Sequence, residues 1–123
     1  MIKKEITISG KPVTLAYCYA TEIAYKDLAG EDITDFLTEA VPVIQQQRMP
    51  DVKKTLFLIL SSMMAYYEDD DKLPVRDKDI MREATPEEIG TALGTIIGLR
   101  AQFYHLPTDE PKDKPTEDKG KNS

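Results

Sequence analysis

The chain has 123 residues, with 16 basic and 22 acidic side chains and a net charge of −6 at pH 7. That length suits one domain whose single core needs no disulfide or metal to hold it. The acidic balance argues against a surface built to neutralise phosphates, and so against nucleic acid as a partner. One cysteine, Cys18, excludes an internal disulfide and fits a reducing compartment.

The opening MIKKEITISG contains no apolar run of signal-peptide length and enters directly into strand-like alternation, so a cytoplasmic protein is expected. Ile2, Glu5 and the run Ile6-Thr7-Ile8, and then Val13 to Tyr17, read as two short strands joined by a tight turn at Ser9-Gly10-Lys11-Pro12. Ile6 and Ile8 share one face, as do Val13 and Leu15, and such a hairpin needs helices to lie against. From Ala20 to Ala29 the spacing becomes helical, with Ala20, Ile23, Ala24 and Leu28 as the apolar positions and Gly30 as the stop. Asp32 then caps a second helix whose stripe is Ile33, Phe36, Leu37, Ala40, Val41 and Ile44; Pro42 should kink or end it near Val41.

Val52 to Tyr67, VKKTLFLILSSMMAYY, is the densest apolar stretch and reads as the central helix, with Asp51 as N-cap. Val52, Leu56, Ile59, Leu60, Met63, Tyr66 and Tyr67 form one stripe expected to face the core. Phe57 and Met64 form a second row at its edge, with Leu58 and Ala65 on the far side among Ser61 and Ser62. A helix apolar nearly all round is either central or covered by a partner. Its lysines and serines leave it short of the roughly 20 apolar residues that a bilayer requires, so no membrane partner is expected.

After the acidic Glu68 to Asp71, Asp77 is placed to cap a short helix with Ile80, Met81 and Ala84 inward. Thr85-Pro86-Glu87-Glu88 is a capping box that opens the last helix, which runs to about Tyr104. Its apolar side is Ile89, Leu93, Ile96, Ile97, Phe103 and Tyr104. Gly90, Gly94 and Gly98 recur every four residues beside it and clear a groove for close approach of another helix. The neighbour is expected within the chain, at the central or second helix, with a partner chain as the alternative. Arg100 falls on the apolar face, either as a side chain that snorkels out or pairs with an acid such as Glu39, or as an interface arginine. From Pro107 the chain has no aliphatic or aromatic residue, so 1–106 is read as a hairpin plus helical domain and 107–123 as a disordered charged tail. The fold expected is mainly α, a short hairpin followed by four to five helices.

Chemistry-bearing constellations are sparse. The acidic run fails the calcium-loop pattern, because Leu73 and Pro74 occupy the positions of a ligand and the required glycine. Cys18 and His105 are the only thiol and imidazole, and no sequence context activates either; a buried structural cysteine and a surface histidine are expected. No catalytic, cofactor or metal site is expected, and the chain reads as a non-enzymatic binding protein. The candidate partner-binding residues are Phe57, Met64, Tyr66, Tyr67, Gly90, Gly94, Gly98 and Arg100, and self-association is one outcome they allow.

The order of elements, ITISGKPVTLAY, ATEIAYKDLAGEDI, KKTLFLILSSMMAYY and TPEEIGTALGTIIGLRAQF, resembles the tail assembly chaperones of long-tailed bacteriophages and their prophage relatives over Ile2 to Tyr104. The resemblance is one of element order and carries no diagnostic motif. It implies a small, mostly helical protein of the bacterial host cytoplasm that keeps the tape-measure protein soluble and helps recruit tail-tube subunits, without enzymatic activity. In several members a frameshifted longer form carries a tail-tube-binding extension. A permanently incorporated component of a phage tail or head–tail junction is the alternative.

Overall fold

A computed structural model of the chain describes residues 1–106. The segment 107–123, expected to be a disordered tail, lies outside the described residues. Strands β1 (Ile2–Ile8) and β2 (Lys11–Tyr17) form an antiparallel hairpin. Five helices follow: α1 (Tyr19–Ala29), α2 (Ile33–Gln45), α3 (Val52–Tyr67), α4 (Asp77–Glu83) and α5 (Pro86–Tyr104), with one 3-10 turn at Asp70–Lys72. The architecture is the mainly α hairpin-plus-bundle expected from the sequence.

The hairpin closes through a two-residue turn in which Ser9 and Gly10 both have positive φ, 53° and 77°, the twist that joins antiparallel strands without splaying them. The Glu88 carboxylate accepts the N–H groups of Ser9 (3.0 Å) and Gly10 (3.4 Å) as well as that of Thr85 (3.1 Å). One side chain thus completes the capping box of α5 and ties the turn to it. These hydrogen bonds to its charged form, that from Thr85 first, hold its pKa below the usual carboxylate value.

The open edge of β2 is sealed by side chains. The Thr14 N–H donates to the Tyr67 hydroxyl at 3.0 Å, and the Ala16 carbonyl accepts from Thr21 Oγ1 (3.0 Å) and Ser62 Oγ (2.8 Å). Pro12 faces Thr7 two residues before Thr14, so its missing N–H falls on the same outward side and breaks no ladder bond. On β1, Lys3, Lys4 and Glu5 are exposed, a charged edge of the kind that discourages strand addition.

Helices α1 and α3 pack on β2, and α5 packs across both strands. The core gathers Ile8, Val13 and Leu15 from the hairpin, Phe36 from α2, Leu58 from α3 and Ile96 from α5, with Tyr17 and Tyr25 fully buried among them. Helix α2 buries Ile33, Phe36, Leu37 and Ala40 as its stripe requires. Pro42 does not end it: α2 continues to Gln45, because the proline removes one hydrogen bond to the carbonyl of Thr38, an exposed residue that water can reach.

Two helices are rotated from the orientation their apolar spacing suggests. In α1, Ala20 is exposed, Ile23 is 63% exposed and Leu28 40%, while Thr21 and Tyr25 are fully buried. The β2 edge selects Thr21 through its hydroxyl, and Glu31 anchors the Tyr25 hydroxyl at 2.8 Å. In α3, Ile59 and Met63 of the expected stripe are fully buried and Leu56, Leu60 and Tyr67 pack partly on the core, but Leu58, Ser61, Ser62 and Ala65, the expected far side, are buried as well, and Val52 and Tyr66 are exposed. The Ser62 bond to Ala16 accounts for this turn, since a buried carbonyl left unpaired is costly. Met81 likewise points outward from α4, with Ile80 inward.

Candidate functional site

The orientation of α3 leaves an apolar surface with no covering partner among the described residues. Asp51 caps the helix by accepting the Lys54 N–H at 3.0 Å, and the helix then presents Val52, Leu56, Phe57, Leu60 and Met64 along its outer side. Leu56, Phe57 and Leu60 rest partly on the core beneath. Helix α4 forms one wall, through Ile80 and Met81, and the C-terminal end of α1 contributes Leu28 at the opposite end of the trough from Met49.

Three cavities open along this surface. The largest, about 560 Å³, lies between Val52, Phe57 and Leu60 of α3 and Ile80 and Met81 of α4. A second of about 340 Å³ extends past Met49 to Pro86 and Ile89, and a third of about 250 Å³ extends past Met64 to Leu73. Adjacent cavities share lining residues, so they form one trough. The polar residues on its lining are few: Lys53 and Asp77 in the central cavity, Arg76 beyond it towards Leu73, and Thr55 towards Met49. The Lys53 ammonium lies 5.7 Å from the centre of the Phe57 ring, a cation–π contact that leaves the charge at the rim.

Of the candidate residues, Phe57 and Met64 both line this trough. Tyr66 is exposed and sits under the Lys3 ammonium, 5.2 Å from its ring centre. Tyr67 serves the fold instead, with its hydroxyl bound to Thr14. Val52, Leu56, Leu60 and Met81 belong to the trough although their spacing assigned them to the core. Periodicity measures the apolar faces of a helix but not which one a neighbour takes, and three of the five methionines, at 49, 64 and 81, were the unused signal.

The glycine groove is not filled by another helix among the described residues. A Cβ built at Gly90, Gly94 or Gly98 would meet nothing within 4 Å, which corrects the expectation of an internal neighbour. The core-facing side of α5 is taken by Ala92, Leu93, Ile96 and Leu99, and the glycines lie on the side left open. Gly94→Ala is therefore expected to stabilise the isolated chain by about 1 kcal/mol, the helix-propensity difference. Urea denaturation monitored by circular dichroism checks this, and a loss of stability would mean that the open side is covered.

Arg100 forms no ion pair with Glu39, which instead meets Lys54 Nζ at 3.5 Å. Its Nη2 donates to Thr34 Oγ1 at 3.3 Å, its guanidinium lies 5.5 Å from the Tyr104 ring centre, and its buried Nε has no hydrogen-bond partner among the described residues. Nearby, the hydroxyls of Tyr17 and Tyr104 both donate to the Glu22 carboxylate. Burial first, then Glu22, raises the Tyr17 pKa well above its ordinary value; the Glu22 bond first, then burial, pushes Tyr104 up to about 12.

Cys18 precedes α1 and is half-buried, not fully buried as expected, while His105 terminates α5 in an exposed position. No hydrogen bond joins them among the described residues. Among those residues no group of His, Cys, Asp and Glu is arranged to hold a metal ion, and no helix is long and apolar enough to cross a membrane. Comparison with protein-family models, with curated proteins and with solved structures finds no match to this chain.

Proposed function

We propose that the chain is a non-enzymatic assembly chaperone or adaptor of the kind found in phage tail morphogenesis, acting in the cytoplasm of a bacterial host. Its clients in this reading are a helical tape-measure protein and tail-tube subunits. The observation that supports it is the apolar trough along α3, uncovered among the described residues: a long apolar client exposes the surface that such a trough would cover. The element order supplies the class of client, through its resemblance to tail assembly chaperones.

Co-expression with the tape-measure protein of the same phage or prophage tests the reading. The client is expected in the soluble fraction only when this chain is present, and the chain is expected to be missing from purified tails. Equal client solubility without it, together with its presence in purified tails, would replace the chaperone by a permanent structural component.

A further inference from the structure

The two edges of the hairpin differ. Across a two-residue turn the strand ends Ile8 and Lys11 exchange both N–H···O bonds, and by alternation so do Ile6 with Val13, Lys4 with Leu15 and Ile2 with Tyr17. The N–H and C=O groups of Lys3, Glu5 and Thr7 therefore point away from β2. They form no hydrogen bond among the described residues, and all three residues are exposed. On the β2 edge, by contrast, the Thr14 N–H and the Ala16 carbonyl are taken by Tyr67, Thr21 and Ser62. One edge is closed and the other is a template for a strand. We propose that a second copy of the chain covers it, β1 lying antiparallel to β1 about a two-fold axis at Lys4, so that two two-stranded sheets join into one. This inference stands whether or not the chain is an assembly chaperone.

The sequence of β1, IKKEITI, favours both this occupant and this register. A two-fold axis makes every contact twice. With the axis at Lys4, Lys3 meets Glu5 of the second copy and Glu5 meets its Lys3, each pair exchanging ladder hydrogen bonds through the outward groups. On the other face Ile2 meets Ile6 of the second copy, and the reverse. Both isoleucines are half-buried, so the pairing covers apolar surface that one hairpin leaves partly open. Opposite-charge and β-branched cross-strand pairs are what stabilise a sheet. The cost is Lys4 facing its own copy, one like pair set against two opposite pairs. An axis at Lys3 or Glu5 would set like charges together with no opposite pair of side chains to offset them. An axis at Ile6 would run the ladder into Ser9, where the chain turns and is held by Glu88 and the Asp79 carbonyl. The charges that discourage an arbitrary strand thus leave one self-complementary register. Edge pairing buries little surface, so a Kd in the micromolar to millimolar range is expected.

Sedimentation equilibrium of the full chain from micromolar to millimolar concentration, with amide hydrogen exchange followed by NMR at both ends of that range, tests the proposal. A monomer–dimer equilibrium is expected. The amides of Lys3 and Glu5 should exchange about tenfold more slowly at the high end, and those of Lys4 and Ile6, already bonded to β2, should slow less. Glu5→Lys and Lys3→Glu should each weaken dimerisation about tenfold, and the double variant, which reverses both members of each ion pair, should restore it. Lys4→Thr, which removes the like pair on the axis, should tighten dimerisation about threefold. Lys3→Glu also loses the contact of its ammonium with the Tyr66 ring, so melting temperatures at micromolar concentration separate folding from association. A chain monomeric at millimolar concentration would overturn the proposal and leave the edge to an extended segment of another protein. A dimer whose Lys3 and Glu5 amides keep their dilute-solution exchange rates would overturn it by placing the contact elsewhere, and failure of the double variant to regain association would overturn the axis at Lys4.

Discussion

Leu58→Ala is expected to destabilise the chain by about 2–5 kcal/mol, and Val52→Ala by no more than about 0.5 kcal/mol. Both residues lie on α3, but Leu58 is fully buried and Val52 is 61% exposed. Truncating Leu58 removes buried methyl groups and leaves a cavity that a packed surround fills only in part. Against a typical domain stability of about 5–15 kcal/mol, this is a large fraction. For a domain of this size it corresponds to a fall in melting temperature of roughly 10–30 °C. Calorimetry on the two variants decides between the orientation described and the one that apolar spacing suggests, in which Val52 faces the core and Leu58 lies on the far side. Equal costs, or the larger cost at Val52, would refute the rotation of α3.

A steep alkaline loss of stability is the second large effect. Tyr17 and Tyr25 are fully buried and donate their hydroxyls to Glu22 at 2.7 Å and Glu31 at 2.8 Å. Burial first, then the carboxylate partner, raises both pKa values above that of a free tyrosine. A group held protonated in the folded state contributes stability that is complete below its unfolded pKa, about 10 for tyrosine, and is lost as pH rises beyond it. Each such tyrosine adds a slope of about 1.4 kcal/mol per pH unit, so the pair should remove about 2.7 kcal/mol per unit above pH 10. Lys54, held protonated chiefly by its bond to Glu31, acts in the same direction. Urea denaturation between pH 8 and 12 measures the slope, and Tyr17→Phe should reduce the tyrosine contribution by about half. A flat profile across pH 10–12 would show that water reaches both hydroxyls.

Much of the fold was legible because local rules and the tertiary outcome agree. The Ser9-Gly10 turn needs positive φ, Asp51 and Thr85 supply oxygens to free N–H groups, and α2 has one clear stripe. At these positions the chemistry lies within a few residues in sequence, as when Glu88 answers Thr85. That Glu88 also holds Ser9 and Gly10 was not legible, since those partners lie 79 and 78 residues away.

The trough was harder to read for a related reason. Apolar spacing marks Phe57 and Met64 as a surplus row, but it places Val52, Leu56 and Leu60 in the core and Met81 in the interior. Hydrophobic spacing states how much apolar surface a helix has and how it is distributed around the axis. For α1 and α3 it does not state which sector is covered, because polar side chains made that choice: Thr21 and Ser62 turn inward to satisfy the Ala16 carbonyl across 5 and 46 residues of sequence. Element type and order thus follow from local chemistry in the chain. The faces of α1 and α3 left outside, and with them the trough, follow from one backbone acceptor on β2 that only the assembled hairpin brings within reach of both hydroxyls.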